Sequence, residues 1–241
     1  MRVQLQPCFV LHRRAYRNTS VILEVFSADY GRVGLVARGV RNGRSKSNAL
    51  LQAFQPLLIS WTGKGELQTL THVEAAGFVP PLSGKSYASA YYLTELIMRL
   101  LQRLDAHEEL FRLYAKALES LRSDDGDKKA AERNLRIFEK YLLEELGYGL
   151  VLDHDVSSGE VLLPEQEYCY VPEHGPVLKT ETTLVNGPVV RGRSLIALGN
   201  DELEDNDALR DCKRLMRIIL QGYIGDKPLQ SRMLYTASQT K

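Results

Sequence analysis

The chain has few cysteines and no long apolar run. Its three cysteines, Cys8, Cys169 and Cys212, are far apart among 241 residues, and they lack the C-x-x-C spacing of a thiolate metal site. Isolated thiols of this kind suit a reducing compartment. No apolar stretch approaches the roughly 18 residues of a membrane span, and the first residues do not resemble a signal peptide. The sequence therefore predicts a cytoplasmic protein without a membrane segment.

The common motifs of enzyme active sites are also missing. The sequence contains no G-x-x-x-x-G-K-[ST], no G-x-G-x-x-G after a strand, no H-E-x-x-H and no G-x-S-x-G. His154 and Asp155 come nearest to a metal-binding pair, but no second pair with suitable spacing follows them. The five histidines are isolated from one another: His12, His72, His107, His154 and His174. We therefore expect no catalytic residue, no metal and no cofactor.

Basic residues are concentrated in the first third of the chain. Residues 1–80 hold ten Lys or Arg and four Asp or Glu, so this part carries a net charge of +6 and the remainder −5. A basic module favours a polyanionic partner such as nucleic acid. The candidate DNA-binding cations are Arg13, Arg14, Arg17, Arg32, Arg38, Arg41, Arg44, Lys46 and Lys64.

Three aromatic residues near these cations in the sequence are candidates for stacking on bases, because small five-stranded barrels combine a basic groove with such side chains. They are Tyr16, Tyr30 and Trp61. Two other interpretations stay open. The basic loops are merely solvated, or Trp61, which alternates with Leu57 and Ile59, belongs to the core.

The first 80 residues have the pattern of short strands. Apolar and β-branched segments at 9–11, 21–26, 33–37, 57–61 and 67–73 are separated by Gly, Asn and Asp. Asp29-Tyr30-Gly31 has the composition of a turn, which predicts a hairpin between the second and third segments. The period of two at residues 32–38 predicts one buried and one solvated face, and residues 39–48 are predicted as a basic loop.

Pro80-Pro81 marks the change from strands to helices, because proline removes a backbone donor and restricts the residue before it. Apolar residues then recur with helical spacing around residues 93–104, 110–121 and 135–146, and Gly147 ends the third helix. Residues 153–190 show no sustained period and are predicted as irregular chain with two short strands. A last helix begins at an Asn206 or Asp207 cap.

Two helices carry basic faces. On the third helix, Arg133, Arg136 and Lys140 fall at i, i+3 and i+7 beside the apolar Leu135 and Phe138. This arrangement suits an acidic peptide that ends in a carboxylate. Arg210, Arg214 and Arg217 form a secondary basic face on the last helix. A charged face in solvent is the alternative interpretation of both.

Five short motifs are spread along the chain: FVLH at 9–12, GRVGLVARG at 31–39, LRIFE at 135–139, LGYG at 146–149 and GDKPLQSR at 225–232. Through these motifs the sequence resembles the RecO family of bacterial recombination mediators and DNA repair proteins. The order and spacing of the motifs together are specific, and they span nearly the whole chain.

The resemblance implies an α+β protein with a five-stranded OB-fold barrel at residues 1–80 and a mainly helical domain at residues 81–241. It implies binding of single- and double-stranded DNA, ATP-free strand annealing in the nucleoid, and, with RecR, loading of RecA onto DNA coated by single-stranded-DNA-binding protein (SSB). Arg136 and its neighbours would receive the acidic tail of SSB, whose terminal carboxylate and aromatic ring suit a guanidinium and an apolar pocket. A protein-interaction scaffold that does not touch DNA is the alternative.

The chain departs from the family pattern after the LGYG motif. Many members carry two C-x-x-C pairs there, whereas residues 153–159 read DHDVSSG and only Cys169 is near. We therefore expect residues 150–192 to be a zinc-free remnant of a zinc ribbon that is held by packing alone.

Overall fold

Five strands close into a barrel in the computed structural model, which describes residues 2–41, 46–82, 84–122, 128–181, 186–231 and 233–234. The barrel order is β1-β2-β3-β5-β4, and only the β3–β5 pair is parallel among these neighbours. The predicted five-stranded OB-type barrel is therefore confirmed. Its elements are β1 (Arg2–Tyr16), β2 (Ser20–Ser27), β3 (Gly31–Ala37), the short helix α1 (Lys46–Leu50), β4 (Pro56–Thr62) and β5 (Leu67–Ala75).

The β2–β3 hairpin follows from its turn. Gly31 adopts a φ of 61°, which glycine reaches without steric cost, and the strands pair from Ser27↔Gly31 to Val21↔Ala37. The hairpin prediction is therefore correct. The predicted loop at residues 39–48 is wrong at its end, because α1 begins at Lys46.

The second face of β3 is covered, so the prediction of a solvated face is wrong. Both Arg32 and Gly34 are buried. Aromatic rings connect this side of the barrel to the following helices: Phe26 lies 5.5 Å from Phe111 and 6.1 Å from Tyr114 between ring centroids. The covering helices are α2 (Gly84–Leu100) and α3 (Glu108–Ser120).

A buried carboxylate ties the barrel to the chain that follows α2. The carboxylate of Glu24 accepts a hydrogen bond from Arg32 Nη2 at 2.9 Å. It also accepts two from Arg103, from Nε at 2.9 Å and from Nη2 at 2.6 Å. Arg32 Nη1 donates in addition to the carbonyl oxygens of Met98 and Leu101, at 2.9 and 2.6 Å. The same cluster therefore pairs the buried Glu24 charge with two guanidiniums and provides a donor for two backbone carbonyl oxygens. A buried ion pair needs such additional hydrogen bonds.

The backbone approaches β3 closely at the same place. Leu104 N donates to Arg32 O at 2.9 Å, and a Cβ built on Gly31 would lie 1.7 Å from Asp105 O. A side chain at residue 31 would therefore displace the connection between α2 and α3.

The chain forms two compact units, one of Met1–Arg122 with Leu229–Lys241 and the other of Ser123–Pro228. The change from strands to helices comes after β5, as predicted. Residue 80 as a domain boundary stays a prediction. Every helix in the described part of the chain is too short or too polar to cross a bilayer.

The second unit combines helices with a small antiparallel sheet in the order β7-β6-β8. The prediction of irregular chain with two strands at residues 153–190 missed the third strand. The elements are α4 (Lys128–Glu145), β6 (Glu167–Val171), β7 (Gly175–Leu178), β8 (Val189–Arg191), α5 (Gly192–Gly199) and α6 (Asn206–Ile224).

A buried aspartate organises the stretch that was expected to be held by packing alone. Asp155 Oδ1 accepts from Ser157 N at 2.7 Å, and Asp155 Oδ2 accepts from Leu178 N at 3.0 Å. The carboxylate therefore joins its own turn to β7, so hydrogen bonds contribute beside packing.

The helix ends follow local chemistry. Gly147 has a φ of 80°, and Tyr148 N donates to Leu143 O at 2.8 Å, which is the Schellman ending expected after α4. The predicted cap of α6 is wrong by one residue, because Asp205 accepts from Ala208 N at 3.1 Å.

We predict that Glu24→Gln destabilises the chain by about 3 kcal/mol at pH 7, because two guanidiniums lose their buried partner. Burial favours a higher pKa for the Glu24 carboxyl, but the hydrogen bond from Arg103 and the charges of Arg32 and Arg103 outweigh it and hold the pKa below its usual 4.5. The stabilisation is thus complete above that pH and is lost as the pH falls below it. Urea unfolding between pH 7 and pH 3 measures the difference.

The matched control is Glu74→Gln, since Glu74 is a half-exposed strand residue paired only with His72 in the described structure. It is expected to change the free energy of unfolding by less than about 1 kcal/mol. Equal effects of the two substitutions, or a difference that does not change with pH, would contradict the role of Glu24.

Candidate nucleic-acid interface

Two segments meet at one end of the barrel and bring four arginines together. The end of β1 with its following turn and the segment after β3 are adjacent because β2 pairs with both strands, as Tyr16↔Ser20 and Val21↔Ala37 show. Arg41 N donates to Thr19 O at 2.9 Å, and Arg41 Nη1 donates to Arg17 O at 3.2 Å. We call this group the barrel-end cluster, which consists of Arg14, Arg17, Arg38 and Arg41.

All four side chains of the barrel-end cluster are exposed. Across the described residues, none of these guanidiniums has a carboxylate within ion-pair distance. Arg17 stands over the ring of Tyr16, with its guanidinium carbon 5.1 Å from the ring centroid. The result is an uncompensated positive surface with one aromatic ring in it, which is a suitable surface for a phosphate backbone.

Arg13 is half-buried and contacts α1 instead of joining the barrel-end cluster. Its guanidinium donates to the carbonyl oxygens of Asn48 and Leu51, both at 3.4 Å, and to the Asn48 side chain. Arg13 thus holds α1 against β1. Asn48 was not singled out in the sequence, because an amide in a polar segment gives no sign of which arginine it will contact.

Other predicted DNA-binding residues lie elsewhere. Arg32 is bound to Glu24 and buried, so it is excluded from the interface. Lys64 is exposed in the β4–β5 turn. This turn lies against the middle of β3, where Glu66 O approaches Gly34, and not against the segment after β3. Arg44 lies outside the described residues, as does the side chain of Lys46.

Of the three predicted stacking residues, Trp61 belongs to the barrel interior and Tyr30 is partly buried against it. Trp61 is fully buried in the barrel core, and Tyr30 packs edge-on against it with ring centroids 5.3 Å apart. The interpretation of Trp61 as a core residue therefore agrees with its position, and of the three aromatics only Tyr16 stands beside the cluster.

The residues of α4 expected to receive an acidic tail are largely internal. Leu135, Arg136, Phe138 and Lys140 are buried. Arg136 Nη2 contacts Glu139 Oε1 at 2.8 Å. Arg133 keeps 28% of its side chain exposed and pairs with Glu204.

Lys140 binds backbone carbonyl oxygens at the C-terminal end of α5. Its Nζ donates to Leu198 O and Gly199 O, both at 3.1 Å, and to Asp201 Oδ1 at 2.6 Å. Cations at a helix C-terminus offset the partial negative charge of free carbonyls. The side chain of Lys140 therefore stabilises the second unit instead of facing a ligand.

The three arginines of the secondary basic face on α6 differ in their contacts. Arg214 donates to Val189 O and to Asp211 Oδ1, the latter at 3.3 Å, and so ties α6 to β8. Arg210 pairs with Asp207 but remains exposed, and Arg217 is exposed as well.

The described residues contain no group of three or more His, Cys, Asp or Glu that could hold a metal ion. Within the described part of the chain, His154 Nδ1 contacts the neighbouring Asp153 at 2.8 Å, and Asp155 accepts hydrogen bonds from backbone N–H groups.

We predict that Arg136→Ala lowers the free energy of unfolding by about 3 kcal/mol, because Glu139 is left as a buried charge without its guanidinium. The control is Arg112→Ala, which breaks an exposed Glu109–Arg112 pair of the same i,i+3 spacing and is expected to cost less than about 1 kcal/mol. Denaturant unfolding measures both. Similar small losses would show that the Arg136–Glu139 pair stabilises the fold no more than an exposed pair does.

Comparison with known proteins agrees with this architecture. A family model described as "Recombination protein O N terminal" matches residues 1–78, and one described as "Recombination protein O C terminal" matches residues 82–233. Similar proteins named DNA repair protein RecO include that of Nitrosococcus oceani, 48% identical over 97% of this chain and 93% of the relative.

Two further relatives with the same name show the same extent of similarity. That of Alkalilimnicola ehrlichii is 47% identical over 97% of this chain and 91% of the relative. That of Dechloromonas aromatica is 45% identical over 99% of this chain and 97% of the relative. The chain therefore belongs to the RecO family of DNA repair proteins.

Proposed function

We propose that the chain acts in DNA repair and recombination as a non-catalytic mediator that binds DNA at the barrel-end cluster and anneals complementary strands without ATP. The observation that carries the proposal is the cluster itself: four exposed arginines, from two hydrogen-bonded segments, without carboxylate partners in the described structure. Contacts to phosphates give affinity with little sequence preference, so both single- and double-stranded DNA are ligands.

Annealing follows from the same electrostatics. Two complementary strands repel each other through their phosphates, and a surface that neutralises phosphates lowers this repulsion. No bond is made or broken in the protein, so neither a catalytic residue nor a nucleotide is needed.

We predict that Arg38→Glu with Arg41→Glu weakens binding to single-stranded DNA by at least about 20-fold at 0.1 M salt. Each phosphate contact contributes about 0.7 to the slope of log K against log salt on single strands, so the slope should fall by about 1.4. Fluorescence anisotropy with labelled oligo(dT) over a salt series measures both quantities.

The matched control carries the same charge change elsewhere, as Arg112→Glu with Lys116→Glu on the exposed side of α3. It is expected to bind like the wild type. An unchanged salt slope in the barrel-end variant would show that these two arginines do not contact DNA, whereas a wild type without salt-dependent binding would favour the alternative of a protein-interaction scaffold.

We further propose SSB, RecR and RecA as partners, which the family resemblance implies. Of the five α4 residues expected to meet the acidic SSB tail, Arg133 is the accessible one, so tail contact would involve the surface around Arg133. Annealing is measured on strands coated with intact SSB and on strands coated with SSB that lacks its acidic tail. The wild type, the Arg38→Glu, Arg41→Glu variant and its Arg112→Glu, Lys116→Glu control are compared on both coats. Equal rates on the two coats would contradict the tail contact.

A further inference from the structure

The outer side of α6 carries a row of cations that the proposed function does not yet use. Arg210, Lys213 and Arg217 follow the spacing i, i+3 and i+7, which places them on one side of the helix. The side chains of Arg210 and Lys213 are 78% and 60% exposed, and Arg217 is exposed as well. The row extends about 10 Å along the helix.

Two lysines at the start of α4 continue the row. Lys128 and Lys129 are exposed, and together with Arg210 and Lys213 they line an open cleft of about 470 Å³. We call these five cations the α6 strip: Lys128, Lys129, Arg210, Lys213 and Arg217.

Glu132 is the only carboxylate among the described residues that line the cleft. Lys213 Nζ contacts both of its oxygens, at 3.1 and 3.2 Å, and Arg136 Nε lies 3.9 Å from it. Four cations line the cleft against the one carboxylate, and Asp207 pairs with Arg210 outside the lining, so these described residues still carry a net positive charge toward an external anion.

The shape of the α6 strip favours a nucleic-acid backbone over an acidic peptide. A tail that ends in an aromatic residue needs an apolar pocket beside the cation, but Leu209, the one apolar side chain among the described residues that line this cleft, is itself buried. The cations instead continue beyond the cleft to Arg217. A row of point charges on an open surface matches a chain of phosphates.

We propose that the α6 strip is a second binding site for a DNA backbone, so that the chain holds one strand at the barrel-end cluster and a second strand at the α6 strip. This inference rests on the proposed function and adds the source of the second strand in annealing. A single site neutralises one strand, whereas two sites raise the local concentration of one strand near the other.

A bridging assay tests the proposal with the full-length chain. Oligo(dT) is immobilised on beads, the protein is added, and capture of a second, labelled oligo(dT) is measured, so that base pairing plays no part. The test variant is Arg210→Glu with Arg217→Glu, and the matched control is Arg112→Glu with Lys116→Glu. Arg112 pairs with the acid three residues before it, as Arg210 does, so both variants break one surface pair.

We expect the α6 variant to bind the first strand within about threefold of the wild type and to capture the second strand at least about 20-fold less well, since each contact is worth about fivefold at 0.1 M salt. Annealing of complementary strands should slow in parallel. The residual DNA binding of the Arg38→Glu, Arg41→Glu variant should disappear when the α6 changes are added.

Three results would overturn the proposal. The first is that second-strand capture is unchanged in the α6 variant, and the second is that capture falls equally in the control. The third is that the α6 variant still bridges two strands but no longer binds a labelled acidic peptide, which would identify the strip as a protein-binding site. If the double variant does not fold by circular dichroism, Arg217→Glu alone is used, with an expected fivefold loss of capture. Failure of the wild type to bind the first strand would instead reject the proposed function.

Discussion

One buried ion cluster, the Glu24 carboxylate between Arg32 and Arg103, decides which side of the barrel is covered and which side is left for the proposed DNA contacts. The cluster fixes the connection between α2 and α3 on the hairpin β2–β3, where Arg32 also satisfies two carbonyl groups. Aromatic packing of Phe26 on α3 continues the same contact. This side of the barrel is therefore internal to the first unit.

That coverage has a functional consequence. OB-fold barrels commonly bind oligonucleotides across the face of strands 2 and 3, and here that face holds Glu24, Phe26 and Arg32 under helices. The four arginines of the barrel-end cluster lie instead at the end of β1 and on the segments that follow β1 and β3, and Lys64 is exposed in the β4–β5 turn. If DNA binds as proposed, the helices leave it the end of the barrel instead of the sheet face, and Tyr16 is the one aromatic ring of the three candidates beside the cations there.

The sequence was informative about local structure and less so about partners. The strands, the Gly31 turn and the Gly147 helix end were predictable because turn chemistry and apolar period act over a few residues. The burial of Arg32 and Arg136 was not predictable from the sequence, because it depends on tertiary contacts. One such contact joins Glu24 to Arg103, 79 residues away along the chain. Lys213 was overlooked because its position beside α4 emerges only from the packing of two distant helices.

The central claim is that DNA contacts the end of the barrel and not the covered face. Photo-crosslinking of the full chain to a single strand that contains 4-thiothymidine, followed by mass spectrometry of the linked peptides, tests it directly. The account predicts adducts within residues 13–19 and 38–41. Adducts confined to residues 24–34 would contradict it, because they would require the helices to leave the β2–β3 face when DNA binds.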